Sequence, residues 1–147
     1  MIERKPVRSI QYGVAIAKLA DTPKLSEFGP VAARFLYSLR LIALYDRANR
    51  DPIPELAVRL SNVETADKAL ALAKVVTTNW PENLQISRFC CQFLTHDEAT
   101  IGALVDAAAA GDRGQFDAQI DGLVRPNRKE PLWDAVIDLV GAEMRAA

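Results

Sequence analysis

The sequence predicts an all-α fold, a compact bundle of six or seven helices with short loops. Apolar side chains recur every three or four residues along most of the 147-residue chain, and this is the period of one face of an α-helix. Proline, glycine and short polar runs interrupt the periodic stretches at spacings typical of single helices. The alternation of apolar and polar residues that marks a β-strand never continues beyond a few positions.

Length and composition predict one domain. A chain of 147 residues can bury one ordinary core but is short for two. Half of the residues are hydrophobic and a quarter are charged, a balance typical of folded proteins and unlike that of disordered chains. We therefore expect a single helical domain over residues 1–147, with residues 1–6 as a flexible tail.

Two helices are predicted in the first third of the chain. The first runs from Val7 to about Ala20, with one apolar stripe formed by Val7, Ile10, Val14 and Ala17. The second runs from Pro30, a residue suited to a first helical turn, to Asn49. The second helix has two apolar faces, one with Val31, Phe35, Leu39 and Ile42, the other with Tyr37, Leu41 and Leu44. Such a helix is either the central rod of the bundle or a helix that offers its second face to a partner.

The middle of the chain predicts two further helices. Pro52 and Pro54 end the preceding helix and favour a short helical piece over residues 55–60. The run Ser-Asn-Val-Glu at residues 61–64 matches a capping box, in which Ser61 and Glu64 would begin a helix that ends at Pro81.

The segment FCCQFLTHDE, residues 89–98, contains both cysteines and the single histidine. A helix over residues 83–94 would place Cys90 in the core stripe and Cys91 about 100° away at its boundary, so that both thiols could not bind one metal ion. Thr95 and Glu98 form a second capping box, which predicts a helix over residues 95–110 with His96 exposed in its first turn.

The last third of the chain predicts two helices separated by a polar connector. The run GDRG leads into a helix that contains Phe116, Ile120, Leu123 and Val124. Residues 125–131, RPNRKEP, are the connector. The final helix begins near Pro131 and packs Leu132, Trp133, Val136, Ile137 and Val140.

Charge argues against a general nucleic-acid binder, because the net charge is −1. Residues 1–50 nevertheless carry nine Lys or Arg against four Asp or Glu, and residues 51–147 carry nine against fifteen. These charges either cover separate solvated faces, join copies head to tail, or offer a basic surface to an anionic partner. Of the arginines on the second helix, only Arg40 and Arg47 align closely, which favours ion pairing over phosphate contacts.

Membrane and catalytic signatures are missing from the sequence. It has no signal-peptide pattern and no apolar run near the roughly 20 residues needed to cross a bilayer. The two adjacent cysteines do not form a disulfide framework, which favours a reducing, cytoplasmic compartment. Without a nucleophile elbow or a phosphate-binding glycine loop, we predict no catalytic residue, no metal and no cofactor, and we disfavour an enzyme.

The leading functional hypothesis is a protein-protein interaction or self-associating module, with a protein partner or a second copy bound through Tyr37, Leu41 and Leu44. Two alternatives stay open. One is a thiol- or metal-responsive regulatory module that uses Cys91 and His96. The other is a helical DNA-binding regulator that uses the basic first third of the chain.

Overall fold

The computed structural model describes residues 23–147, and over this range the all-α prediction is confirmed. The helices, in chain order, are α1 (Pro30–Arg47), α2 (Ile53–Leu60), α3 (Val63–Asn79), α4 (His96–Ala109), α5 (Arg113–Ile120) and α6 (Pro126–Ala146). A short 3-10 turn, Leu25–Glu27, precedes them, and an isolated bridge joins Lys24 to Phe93. The predicted first helix, Val7 to Ala20, and the predicted tail lie outside the described residues.

The core is built both between consecutive helices and between helices that are distant in the chain. The closest packing joins α3 to α6, α2 to α3, α4 to α5 and α1 to α4. The beginning of α3 lies beside the end of α6, where Arg145 Nη2 is 2.9 Å from the Glu64 carboxylate. The largest side chains buried within this core are Phe35, Phe116, Leu36, Leu56, Leu72, Ile101, Leu104, Ile120, Leu132 and Leu139.

Helix α1 is a central rod along its first three turns only. Phe35, Leu36, Leu39 and Leu41 are all buried there. Beyond Leu41 the helix comes to the surface, and Leu44 is 45% exposed. A helix that is apolar on two faces is therefore enclosed at its beginning and partly open at its end.

The helix predicted over residues 83–94 is wrong. Residues 80–95 instead form an irregular loop that connects α3 to α4, called the α3–α4 loop below. Cys90, predicted in the core stripe of that helix, lies exposed in a turn closed by the Cys91 amide, which donates to the Arg88 carbonyl at 3.0 Å. Cys91 itself is half-buried.

The α3–α4 loop obtains its hydrogen bonds from distant parts of the chain. In the predicted helix the Leu94 amide would donate to the Cys90 carbonyl four residues before it. It donates instead to the Pro23 carbonyl at 3.0 Å, and the Cys91 carbonyl accepts from the Arg40 guanidinium. Because these tertiary partners satisfy the buried backbone, the helical period of the segment does not produce a helix.

The capping box predicted at residues 61–64 is also wrong. Ser61 ends α2 in the left-handed conformation, with φ +59°. The cap of α3 is therefore Asn62, whose side-chain oxygen accepts from the Thr65 amide at 2.9 Å. The connection between α2 and α3 is two residues long, so Ser61 ends α2 and Asn62 begins α3.

The connector predicted over residues 125–131 is the first part of α6. Pro126 occupies the first turn, where its missing amide and its fixed φ suit a helix start. Pro131 lies inside the helix and removes the hydrogen bond to the Asn127 carbonyl. Asn127 is exposed, so that carbonyl remains accessible to water. Ile137, predicted to pack in the core, is 37% exposed at the edge of the helix.

The second capping box is confirmed. The Thr95 hydroxyl accepts from the Glu98 amide and the Glu98 carboxylate accepts from the Thr95 amide, both at 3.0 Å. His96 is the first residue of α4 and is exposed, as predicted. The predicted turn after this helix also forms, with Gly111 at φ +72° and Asp112 as the cap of α5.

Candidate functional site

The three residues predicted as a contact surface have different environments. Leu41 is buried, with 3% of its surface exposed. Tyr37 is half-buried, its ring centroid 4.8 Å from that of Phe89, and its hydroxyl accepts from Arg59 Nη1 at 2.8 Å. Of the three residues only Leu44 is exposed, at 45%. A contact through this face is therefore restricted to Leu44 and the free edge of Tyr37, and it stays a prediction.

The predicted thiol site is not gathered into a metal-binding cluster. Cys91 is half-buried in the α3–α4 loop, and His96 is exposed in the first turn of α4. Across residues 23–147, no group of three or more His, Cys, Asp or Glu side chains is arranged to hold a metal ion. The more accessible thiol is that of Cys90. A thiol-responsive role for Cys91 and His96 stays a prediction.

Within residues 23–147, the two buried charged side chains, Arg40 and Glu98, form an ion pair between α1 and α4. Arg40 and Glu98 have side chains that are 1% and 0% exposed. Arg40 Nε donates to Glu98 Oε2 at 2.8 Å and Nη2 donates to Oε1 at 3.1 Å, which makes a two-point contact. Two of the three remaining N–H groups of the guanidinium donate to the carbonyls of Cys91 and Phe93 in the α3–α4 loop.

Glu98 is held in its charged form. Its burial opposes ionisation and would raise its pKa, but the hydrogen bonds from Arg40 and from the Thr95 amide, together with the Arg40 charge, outweigh burial and lower the pKa of Glu98 below its ordinary value. A further bond comes from the Ser87 amide at 3.3 Å. Each carboxylate oxygen thus accepts two hydrogen bonds from the protein, so we assign this network to holding the α3–α4 loop in place.

The surface offers a groove of about 410 Å³ between α1, α3 and the α3–α4 loop. One wall is α1 and the other is α3, and Leu84 and Ile86 of the loop close one side. We call it the α1–α3 groove. Its lining residues are Leu39, Ile42, Ala43, Asp46, Leu70, Ala73, Lys74, Thr77, Thr78, Leu84 and Ile86.

Both walls of the α1–α3 groove follow a helical repeat. On α1 the lining positions are 39, 42, 43 and 46, and on α3 they are 70, 73, 74, 77 and 78. Spacings of three and four residues mark a single face of a helix. Two adjacent helices with such faces form the concave seat that receives a third helix by ridges-into-grooves packing.

The chemistry of the groove is apolar with charges at its border. Exposed Asp46 and Lys74 stand on opposite walls. Sequence reasoning found Leu39 and Ile42 on one apolar face of α1 but placed that face in the core. Leu39 is buried in the core, with 3% of its surface exposed, whereas Ile42 is only half-buried. The helical period of residues 83–94 gives no indication that this segment forms a loop.

A second groove, of about 450 Å³, lies at the other end of the bundle and is lined by Pro30, Val31, Arg34, Leu60, Ser61, Glu143, Met144, Ala146 and Ala147. Its charged groups already bind one another, because Arg34 Nε donates to Glu143 at 2.7 Å. Arg34 Nη2 also donates to the Leu60 carbonyl at 2.8 Å. With Arg40 buried and Arg34 engaged, the arginines of α1 do not form a common basic face.

Comparison of the chain with protein-family models, with curated proteins and with solved structures gives no match in any of the three. Among the helices of residues 23–147, none combines the length and the apolar character needed to span a bilayer.

Proposed function

We propose that this protein is an interaction module that binds an amphipathic α-helix of a protein partner in the α1–α3 groove. The observation that carries the proposal is the pair of helical walls, 39–46 and 70–78, whose lining side chains repeat every three or four residues. This is the helix-in-groove mode of recognition, in which an apolar stripe of the ligand packs between two helices.

The borders of the groove define the chemistry of the partner helix. Asp46 on one wall favours a basic residue beside the apolar stripe, and Lys74 on the other favours an acidic residue. The two walls are each about 10 to 12 Å long, from the helical rise of 1.5 Å per residue. They therefore hold two to three successive stripe residues of a bound helix.

The second groove supports this function less well. Its lining comes from the ends of helices and from the paired Arg34 and Glu143. A ligand in the second groove would have to compete with the ion pair of Arg34 and Glu143, in which each charged group already binds the other. The α1–α3 groove presents longer helical walls.

A display library of short amphipathic helices, selected against the full chain, tests the proposal. We expect selected peptides to share apolar residues at helical spacing. Their affinity should fall at least tenfold with Ala43→Glu, because this places a charge in the apolar seat. Ala71→Glu is the matched control, since Ala71 is an exposed position of α3 outside the groove. Equal affinity for both variants, with both shown to be folded by circular dichroism, contradicts the proposal.

A further inference from the structure

We infer that Cys90 and Cys91 are a redox modification site, at which hydrogen peroxide oxidises the two thiols to a disulfide between neighbouring residues. The disulfide changes the α3–α4 loop and lowers the affinity of the α1–α3 groove for its ligand. The modification itself goes beyond the proposed function, and only its effect on ligand binding rests on that function.

The two thiols lie where such a reaction needs them. In the helix predicted over residues 83–94, the helical backbone would hold them about 100° apart. In the structure they lie in the irregular α3–α4 loop, where Cys90 is exposed and Cys91 is half-buried. A redox-sensitive site typically combines an accessible cysteine with a resolving cysteine beside it. We assign the first role to Cys90 and the second to Cys91.

The reaction needs no oxidant beyond the peroxide. The Cys90 thiolate attacks one oxygen of hydrogen peroxide, the O–O bond breaks, and Cys90 becomes a sulfenic acid. The departing hydroxide takes up the thiol proton and leaves as water. The Cys91 thiolate then attacks the Cys90 sulfur, an S–S bond forms, and the sulfenic oxygen leaves as a second water. Two thiols and one peroxide thus give one disulfide and two molecules of water.

A disulfide between neighbouring residues is readily reversed. Consecutive Cα atoms lie about 3.8 Å apart across a trans peptide, closer than the roughly 4.4 to 6.8 Å of ordinary disulfides. The bond is therefore strained, and strained or exposed disulfides are the ones that other thiols reduce easily. Such a bond suits a reversible modification better than a structural cross-link.

The backbone of Cys91 connects the thiol pair to the interior. Its amide donates to the Arg88 carbonyl at 3.0 Å, and its carbonyl accepts from the buried Arg40 guanidinium. The torsion ψ of Cys90 orients that amide, and the torsion φ of Cys91 orients that carbonyl. Closing the disulfide ring restricts both torsions, so the hydrogen bonds of the turn no longer set them. Oxidation therefore weakens the contact between Cys91 and Arg40.

A continuous set of hydrogen bonds joins this contact to the groove. Arg40 Nε donates to Glu98 Oε2, and the same oxygen accepts from the Ser87 amide at 3.3 Å. Ser87 directly follows Ile86, which lines the α1–α3 groove. A packed or hydrogen-bonded network couples two sites when it has two discrete arrangements. Here these arrangements are the reduced and the oxidised loop, and the oxidised loop moves Ile86 away from a bound helix.

Mass spectrometry of the full chain after treatment with hydrogen peroxide tests the modification. We expect the monomer to lose two hydrogen atoms, within one peptide that contains Cys90 and Cys91, and to recover them with dithiothreitol. Cys91→Ser should instead gain one oxygen atom at Cys90, trapped by dimedone, because the resolving thiol is missing. A disulfide-linked dimer, a sulfenic acid that persists in the wild type, or two unreactive thiols overturns the inference.

Peptide affinity and NMR test the effect on the loop and the groove. We expect oxidation to lower the affinity of the selected helices about fivefold or more in the wild type. The Cys90→Ser/Cys91→Ser variant, treated in the same way, is the control and should keep its affinity. The Arg40 Nε–H and Ile86 amide signals should shift on oxidation of the wild type only, while the Met144 amide in the second groove stays in place.

The outcomes separate the inference from the proposed function. A disulfide that forms with no shift at Arg40, or with unchanged peptide affinity, overturns the coupling to the groove and leaves the proposed function standing. Absence of peptide binding in the reduced wild type contradicts the proposed function, while the mass change and the Arg40 signal still decide the redox site.

Discussion

Arg40 of α1 and Glu98 of α4 form a buried ion pair across 58 positions of sequence, with Nε 2.8 Å from Oε2. Glu98 is also the third residue of α4 and completes its capping box with Thr95. One carboxylate thus joins three parts of the molecule: the start of α4, the side of α1 and the α3–α4 loop. The loop is in turn one side of the α1–α3 groove.

Removing the charge of Glu98 should cost much more stability than removing that of an exposed partner. Glu98→Gln leaves the Arg40 charge buried without its counter-ion, and we expect a loss of about 3–5 kcal/mol. Glu130→Gln is the matched control, because Glu130 pairs with Arg113 while 65% exposed, and we expect about 0–1 kcal/mol. Urea denaturation measures both. Similar losses for the two variants would contradict a structural role for the buried pair.

The same pair predicts a pH dependence. The pKa of Glu98 is lowered in the folded protein from its ordinary value of 4.5, so the unfolded chain binds this proton more readily. Its ionisation therefore stabilises the fold above about pH 4.5, and this contribution is lost as the pH falls through the lower folded pKa. The difference in free energy of unfolding between wild type and Glu98→Gln should shrink below that pH. A difference in free energy of unfolding that stays constant down to acid pH would contradict the lowered pKa of Glu98.

A side chain at Gly102 should displace Phe28 from α4. A Cβ built at Gly102 lies 2.8 Å from Cε1 of Phe28 and 3.1 Å from Cδ1 of Leu36. We expect Gly102→Ala to destabilise the protein by about 1–3 kcal/mol, despite the better helix propensity of alanine. Gly114→Ala is the control, since its nearest neighbour is 3.6 Å away, and it should be neutral or stabilising by up to about 1 kcal/mol. Thermal melts that rank the two variants in the opposite order would be evidence against this packing.

Asn62, and not Ser61, should carry the cap of α3. Asn62→Ala removes the acceptor for the Thr65 amide and should cost about 1 kcal/mol. Ser61→Gly should instead stabilise by about 0.5 kcal/mol or more, because Ser61 has φ +59° and glycine adopts this conformation without strain. A loss of stability in Ser61→Gly would restore the capping box predicted from the sequence.

The two cysteines should differ in reactivity. Cys90 is exposed in its turn, whereas Cys91 is half-buried, so a native thiol titration should show one fast group. That group should disappear in Cys90→Ser and remain in Cys91→Ser. A fast group that disappears only in Cys91→Ser would instead favour the thiol-responsive hypothesis built on Cys91 and His96.

The sequence alone determined most helices of the described chain, because helix formation depends on contacts within a few residues. The periodic run after Pro30, the Thr95–Glu98 cap and the Gly111 turn are local signals, and each is found in the structure. The prediction from the sequence failed where local signals supported two interpretations equally well. Ser61 and Asn62 both suit a cap, and the run around Pro126 and Pro131 suits either a connector or a helix start.

Only the tertiary structure decided the α3–α4 loop and the groove beside it. Arg40 and Pro23, which are far from the loop in sequence, hold it by hydrogen bonds. These contacts outweigh the helical period of the apolar residues in segment 83–94. On the face of α1 that contains Leu39 and Ile42, Leu39 is buried and Ile42 is only half-buried, and both line the groove beside that loop. Periodicity identifies which side chains share a face, whereas the neighbouring elements decide whether that face is covered.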